Sequence, residues 1–400
     1  MIAGHVAHTT DAPRRAVRDR AIVELLLVGG ATPVLFVLSW ALRRAVGADA
    51  AELAVGFTMF HAALLINDPH FAVTYLLFYK DVRSRLFGDG VPRAQRARYA
   101  LAGVLVPVGL VVWAVLALRA RSAVALGWMI QLMFLLVGWH YAKQAFGVVT
   151  VLSARRGVAF TARERTTLLA HCFAAWAFAW ANPTAPAMEV EEKGVVYTSL
   201  AHPRWLELGT GAVLAVSTAA LVVVLAQRWR REARGAPLGP LYAFLVTIWS
   251  WTIFTSLDPL VTYMIPALHS VQYLYFVWLM RRNEARAGEG PPHFGRPVAV
   301  RVGALAVSAV GLGWILLHGV PSFLDAALVP RGLGGASHPL GETPVLAAIF
   351  VIVNVHHYFM DHVIWRRENP DTRYLRDVAH AADADDADAS GAGAADALRA

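Results

Sequence analysis

Four segments of this chain place ligating or ionisable side chains inside runs that are otherwise apolar. The densest is Asn354-Val-His356-His357-Tyr358-Phe-Met-Asp361-His362. His357 and Asp361 are four residues apart, so on a helix both can face one centre. That spacing suits two metal ligands, or one ligand and the carboxylate that orients it. His356 points about 100° away and can meet a different neighbour. His362 stands close to Arg366 and Arg367, which suits an interfacial, structural role.

The other three segments are shorter. Asn67-Asp68-Pro69-His70 lies within a long apolar run that also holds His61. Proline lacks a backbone donor and disfavours helix at the residue before it, so a kink or break is expected there, with Asn67 or Asp68 as its cap. Trp139-His140-Tyr141-Ala-Lys143-Gln144 sets Lys143 one turn from His140. Lys143 is about 18 Å from Arg155 along a helix, deep for a side chain reaching to the interface. His269-Ser270-Val-Gln272-Tyr273 follows Asp258-Pro259, where Asp258 is expected to cap a helix. Gln272 and Tyr273 can orient the His269 ring or a ligand.

A single buried histidine is more often a hydrogen-bonded core residue than a ligand. Four such segments in one chain reverse that balance, because ionisable groups inside a bilayer are costly and usually functional. Depth adds to this. From the basic end of each run, at 1.5 Å per residue, His357 lies about 14 Å in, His70 about 15 Å, His269 about 18 Å and His140 about 22 Å. All fall near the middle of a hydrocarbon core about 30 Å thick. His61 and His171 are marginal on the same scale. His5, His8, His202, His293, His318, His338 and His380 fall in tails, loops or helix ends and receive no role.

The elements that position these residues are membrane helices. The 400 residues are 57% hydrophobic and 16% charged, against about a quarter charged in a soluble domain. Apolar runs of spanning length must be helical in lipid, where the backbone has only itself to bond. The expected fold is an all-α polytopic membrane protein of about ten spans, over 21–42, 53–79, 99–118, 123–151, 165–182, 207–227, 238–256, 258–281, 298–318 and 344–365. Basic residues crowd alternate loops, from Lys80 to Arg98, at Arg155 and Arg156, from Arg228 to Arg234 and from Arg282 to Arg296. The positive-inside rule then puts both termini on the cytoplasmic side of the inner membrane. The basic segment 1–20 precedes the bundle 21–367, and a tail of 368–400, rich in Ala, Asp and Gly, is expected to be mostly disordered. The net charge of +8 belongs to these loops and does not point to nucleic acid. One cysteine, Cys172, excludes an internal disulfide and a thiolate metal cage.

Imidazole and carboxylate without thiolate suit non-haem iron, zinc or copper. The layout resembles the bacterial membrane carotene-cleaving dioxygenases of the Brp/Blh type. Asp68-Pro69-His70-Phe71, Trp139-His140-Tyr141, His269-Ser270-Val271-Gln272-Tyr273 and His357 with Asp361 are each similar to one of that family's four histidine motifs. Gln272 stands where the family has a second histidine. The resemblance implies an all-helical fold and one iron held by His70, His140, His269 and His356 or His357. Asp361, Lys143 and Tyr273 are the expected catalytic groups, acting on an apolar, lipid-like or carotenoid substrate. Membrane di-iron desaturases and hydroxylases are a weaker likeness: His356-His357 is present, but no span carries their His-x-x-x-His or His-x-x-His-His boxes. The same buried groups also suit a proton or ion relay in a transporter, or a haem held by two histidines.

Overall fold

The first apolar run does not form one helix. In the computed structural model, which describes residues 21–88, 90–232, 238–253, 258–329 and 340–375, α1 (Ala21–Gly30) and α2 (Thr32–Val46) meet at 63°. Gly29 makes the corner with φ +101°, and a Cβ there would lie 2.8 Å from the Trp251 ring, so only glycine fits. Pro33 lies in the first turn of α2, where its missing N–H costs no bond. A broken helix in lipid must find other partners for its freed carbonyls. Gln272 Nε2 donates to Val28 O (2.7 Å), the Thr32 hydroxyl to Gly29 O (2.7 Å) and the Tyr242 hydroxyl to Gly30 O (3.2 Å).

The chain continues through α3 (Ala48–Ala63), α4 (Asn67–Tyr79), α5 (Val82–Phe87), α6 (Arg93–Arg119), α7 (Ala123–Arg155) and α8 (Ala162–Ala181). A hairpin of β1 (Glu189–Glu192) and β2 (Val195–Thr198) leads to α9 (Arg204–Glu232), α10 (Leu238–Ile253), α11 (Pro259–Ala287), α12 (Val298–Leu328) and α13 (Pro344–Ile364). A helix lies over each of the ten expected segments, with shifted ends. Among the described residues, six stretches are long and apolar enough to cross a membrane: Ala48–Tyr79, α6, α7, α9, α12 and α13. The bent pair α1–α2 makes a seventh. The chain is thus a multi-pass, essentially all-helical membrane protein. Outward-facing Leu53, Trp205, Val216 and Val307 are largely exposed, as lipid-facing side chains are.

α8, α10 and α11 fall short of that measure. α10 is too short, α8 opens on a charged turn, and α11 carries the polar groups described below. α13 is the most buried of the six, because every face of it meets another helix.

Several expectations change in detail. The outer segment 182–206 contains a hairpin. Val195-Val196-Tyr197-Thr198 favours strand, and Lys193 and Gly194 both take positive φ, as a two-residue hairpin turn requires. α12 runs on to Leu328, and Asp325 accepts Val345 N and Leu346 N (both 2.9 Å), closing the start of α13. Residues 368–375 are ordered. Asn369 donates to Ile364 O (2.6 Å), Asp371 pairs with Arg85 (3.0 Å), and Leu375 is buried. The segment 1–20 and the tail from 376 lie outside the described residues. Asp258 caps α11 as expected, accepting Leu260 N (3.0 Å), and it also takes Ser39 and Arg43 of α2. The break before Pro69 is present, but neither Asn67 nor Asp68 caps it. Asn67 accepts from Ser270, and Asp68 pairs with His318.

One ion pair anchors α8 to α9 at the end opposite the hairpin. Glu164, 3% exposed, accepts from Arg228 (2.8 Å), itself 3% exposed, and from Arg231 (3.0 Å). Burial alone would raise the Glu164 carboxyl. The Thr161 backbone N–H and the two guanidinium groups outweigh it and hold the group below the usual glutamate range. Removing one partner of a buried pair strands the other charge, at a cost of about 3–5 kcal/mol. Glu164→Ala is therefore expected to lower the unfolding midpoint of the purified protein sharply in a denaturant titration, and an unchanged midpoint would show that the pair does not hold α8 to α9.

Candidate metal centre

The four polar segments come from four helices, and the bundle brings them to one place. His70 on α4, His140 on α7, His269 on α11 and His357 on α13 each offer a ring nitrogen, and these nitrogens lie within 4.8 Å of one another. All four residues are buried. His140 Nε2 and His269 Nε2 are 3.0 Å apart. Two imidazole nitrogens each about 2.1 Å from a shared ion stand roughly 3.0–3.4 Å apart, so the distance suits ligands on one metal as well as it suits an N–H···N hydrogen bond.

The hydrogen bonds around His70 fix which nitrogen is free. The Ser270 hydroxyl donates to Asn67 Oδ1 (2.9 Å). Its oxygen can then only accept at His70 Nδ1, 3.2 Å away, which places the ring proton on Nδ1. His70 Nε2 is left as a buried lone pair, and no donor among the described residues meets it. Among the same residues, His269 Nδ1 and both nitrogens of His357 also lack hydrogen-bond partners. An N–H···N bond between His140 and His269 accounts for their contact alone and leaves the rest unmet. Buried polar atoms are ordinarily paired. A cation among the rings meets the converging lone pairs together, so the four histidines could hold a metal ion.

Asp361 lies beside the rings. Its Oδ2 is 3.3 Å from His357 Nε2 and 3.7 Å from His140 Nδ1. Its Oδ1 accepts from the Tyr273 hydroxyl (2.7 Å), which in turn contacts Thr74 Oγ1 (2.7 Å). Four neutral imidazoles bring no charge, so this carboxylate would be the counter-charge to a cation held at the ring nitrogens. Phe71, Tyr141, Tyr273 and Tyr358 pack their rings on the imidazoles, with centroids 4.5–5.1 Å apart, and close the site to water.

Not every expected residue joins the cluster. His356 is on the other side of α13, with Nδ1 3.1 Å from the Tyr75 hydroxyl and Nε2 3.4 Å from that of Tyr79. One residue of helix turns it about 100° from His357, so the expected set narrows to His357 at this position. Lys143 is also outside. It is one turn from His140, but its charge acts on Cys172 of α8 and on His362 and Arg366 at the end of α13. α7 runs on past α13, so counting inward from Arg155 overstates the depth of Lys143. Trp139 leaves the cluster too, stacking on His362 and Phe359.

Gln272 points away from the rings. It binds Val28 O in the broken first helix and receives Gln144 Nε2 (2.6 Å). His318, given no role from sequence, holds Asp68 at 2.8 Å. No sequence signal pairs residues 250 positions apart; two polar groups in neighbouring apolar runs were the only hint. His61 is exposed and bonds its own helix at Phe57 O, and His171 meets Ser217 (3.1 Å), both apart from the cluster.

Comparison with known proteins returns nothing: no family, no curated protein and no solved structure matches the chain.

The geometry separates neighbouring residues on α13. His357→Ala is expected to abolish bound metal, and His356→Ala to retain it. Asp361→Asn, which keeps shape but loses the counter-charge, is expected to weaken metal affinity about 10–100-fold. Metal content after dialysis against graded chelator reads all three, and loss of metal from His356→Ala alone would contradict the assignment.

Proposed function

We propose that this protein is a membrane-embedded non-haem iron oxygenase, or a related oxidoreductase, acting on an apolar lipid-like or carotenoid substrate. The observation that carries the reading is the convergence of four buried histidine nitrogens from four helices, with His70 Nε2 left as an unmet lone pair. An all-nitrogen set without thiolate suits iron, with zinc and copper as the competing ions. The likeness to the Brp/Blh-type carotene dioxygenases supports iron, through the patches at His70, His140, His269 and His357.

Iron in such a site supplies dioxygen activation. The chain's own residues hold and orient. Ser270 fixes the His70 ring through Nδ1, and Asp361 stands 3.3 Å from His357 Nε2 and 3.7 Å from His140 Nδ1. Tyr273 directs its proton to Asp361, so both act as positioning groups. The aromatic rings around the imidazoles exclude water and offer an apolar wall to a hydrocarbon chain. We further place α8, α10 and α11 across the inner membrane with the other seven passages. That makes ten spans with both termini cytoplasmic, in keeping with the basic loops.

The test is metal and oxygen together. Protein purified from membranes is expected to hold about one iron per chain and to consume dioxygen when β-carotene or a membrane lipid extract is supplied in detergent, with both lost in His357→Ala. Stoichiometric zinc without oxygen uptake would contradict the reading. So would a proton flux into proteoliposomes that His357→Ala abolishes, which would make the histidines a transport relay.

A further inference from the structure

Inward of the cluster, one helical turn beyond His140 and Asp361, lies a second polar group that the metal site does not use. It is made by Lys143 on α7, His362 and Arg366 at the end of α13, and Arg98 on α6. The charges of Lys143, Arg366 and Arg98 all act on the His362 ring, and Trp139 covers that ring at 5.2 Å. Three fixed cations meet a single carboxylate. Glu368 is 3.7 Å from Arg98 and 3.4 Å from Arg366, and Lys143 makes no ion pair among the described residues. Among the described residues, two of the positive charges are thus without a counter-charge.

One buried nitrogen there is also unmet: among the described residues His362 Nδ1 has no hydrogen-bond partner, while Arg366 Nε is the atom 3.4 Å from Glu368. Cations gathered between membrane helices are normally held by an anion, and basic pockets at the inner interface take phosphate head groups. A guanidinium and an ammonium close to one another beside the His362 ring match phosphate oxygens, the first by its planar fork and the second as a point charge.

We propose that Lys143, His362, Arg366 and Arg98 form a binding site for a phosphate-type anion, carried by a lipid whose tail extends into the bilayer. The inference deepens the function proposed above and in that part rests on it. A molecule anchored by its anionic head at Lys143 lies one turn from the histidine cluster, so the substrate class becomes an anionic, phosphate-headed lipid. The role expected for Lys143 then changes from reacting group to substrate anchor.

Native mass spectrometry of the full chain in neutral detergent tests it, with dimyristoyl phosphatidylglycerol and dimyristoyl phosphatidylcholine as probes, inorganic phosphate as competitor, and metal content read in the same samples. The wild type is expected to prefer the anionic lipid. Lys143→Gln and Arg366→Gln are each expected to weaken that lipid by about fivefold, while Lys193→Gln, a basic residue beside the hairpin, changes nothing. With those losses, displacement by millimolar phosphate assigns the site to the free anion, and resistance to it assigns the site to the lipid. Equal binding of the two lipids overturns the inference, as does a loss in Lys193→Gln equal to that in Lys143→Gln. Metal-loaded protein with no lipid preference defeats this inference alone. Lipid preference in protein that holds no metal defeats the oxygenase reading alone.

Discussion

The bundle is arranged around a buried polar centre. Ring nitrogens from α4, α7, α11 and α13 approach within 4.8 Å on buried side chains, where an unmet lone pair is costly. Imidazoles packed this closely gain little from one another. A shared cation would turn the crowding from a liability into a set of bonds, with Asp361 as its counter-charge. The burial of α13 follows from this. It carries both His357 and Asp361, so it must sit inside the other helices rather than against lipid.

The broken helices serve the same centre. The interruption before Asn67 frees that residue to accept from Ser270, and so sets the tautomer of His70. The corner at Gly29 frees the Val28 carbonyl, which takes Gln272 and holds α11 in register beside α1. Asp68, two residues from a ligand, is held by His318 of α12, where Gly313 lets the helix approach the Asp68 backbone closely. Each break offers polar groups to a neighbour, and each neighbour carries or supports a histidine.

Much of this was legible in the sequence. Apolar runs gave the helices, because length and hydropathy decide that without knowledge of packing. Depth counted along each run brought His70, His140, His269 and His357 to one level. What could not be read was rotation about each helix axis. His356 and His357 are adjacent in sequence, and only packing against Tyr75 shows that the first faces away. Lys143 was placed too deep because the relative lengths of α7 and α13 are set by tertiary contacts. The 63° corner between α1 and α2 was missed, since a glycine pair in an apolar run signals a bend only when its partners, Gln272 and Tyr242, are known.

The central claim is one ion held by four histidines, and X-ray absorption at the metal edge of the purified, metal-loaded protein tests it most directly. The account predicts a single absorber with four imidazole nitrogens at about 2.0–2.1 Å and no heavy scatterer nearby. A metal–metal vector at about 3.5–4 Å, or a shell with fewer than three imidazoles, would contradict it.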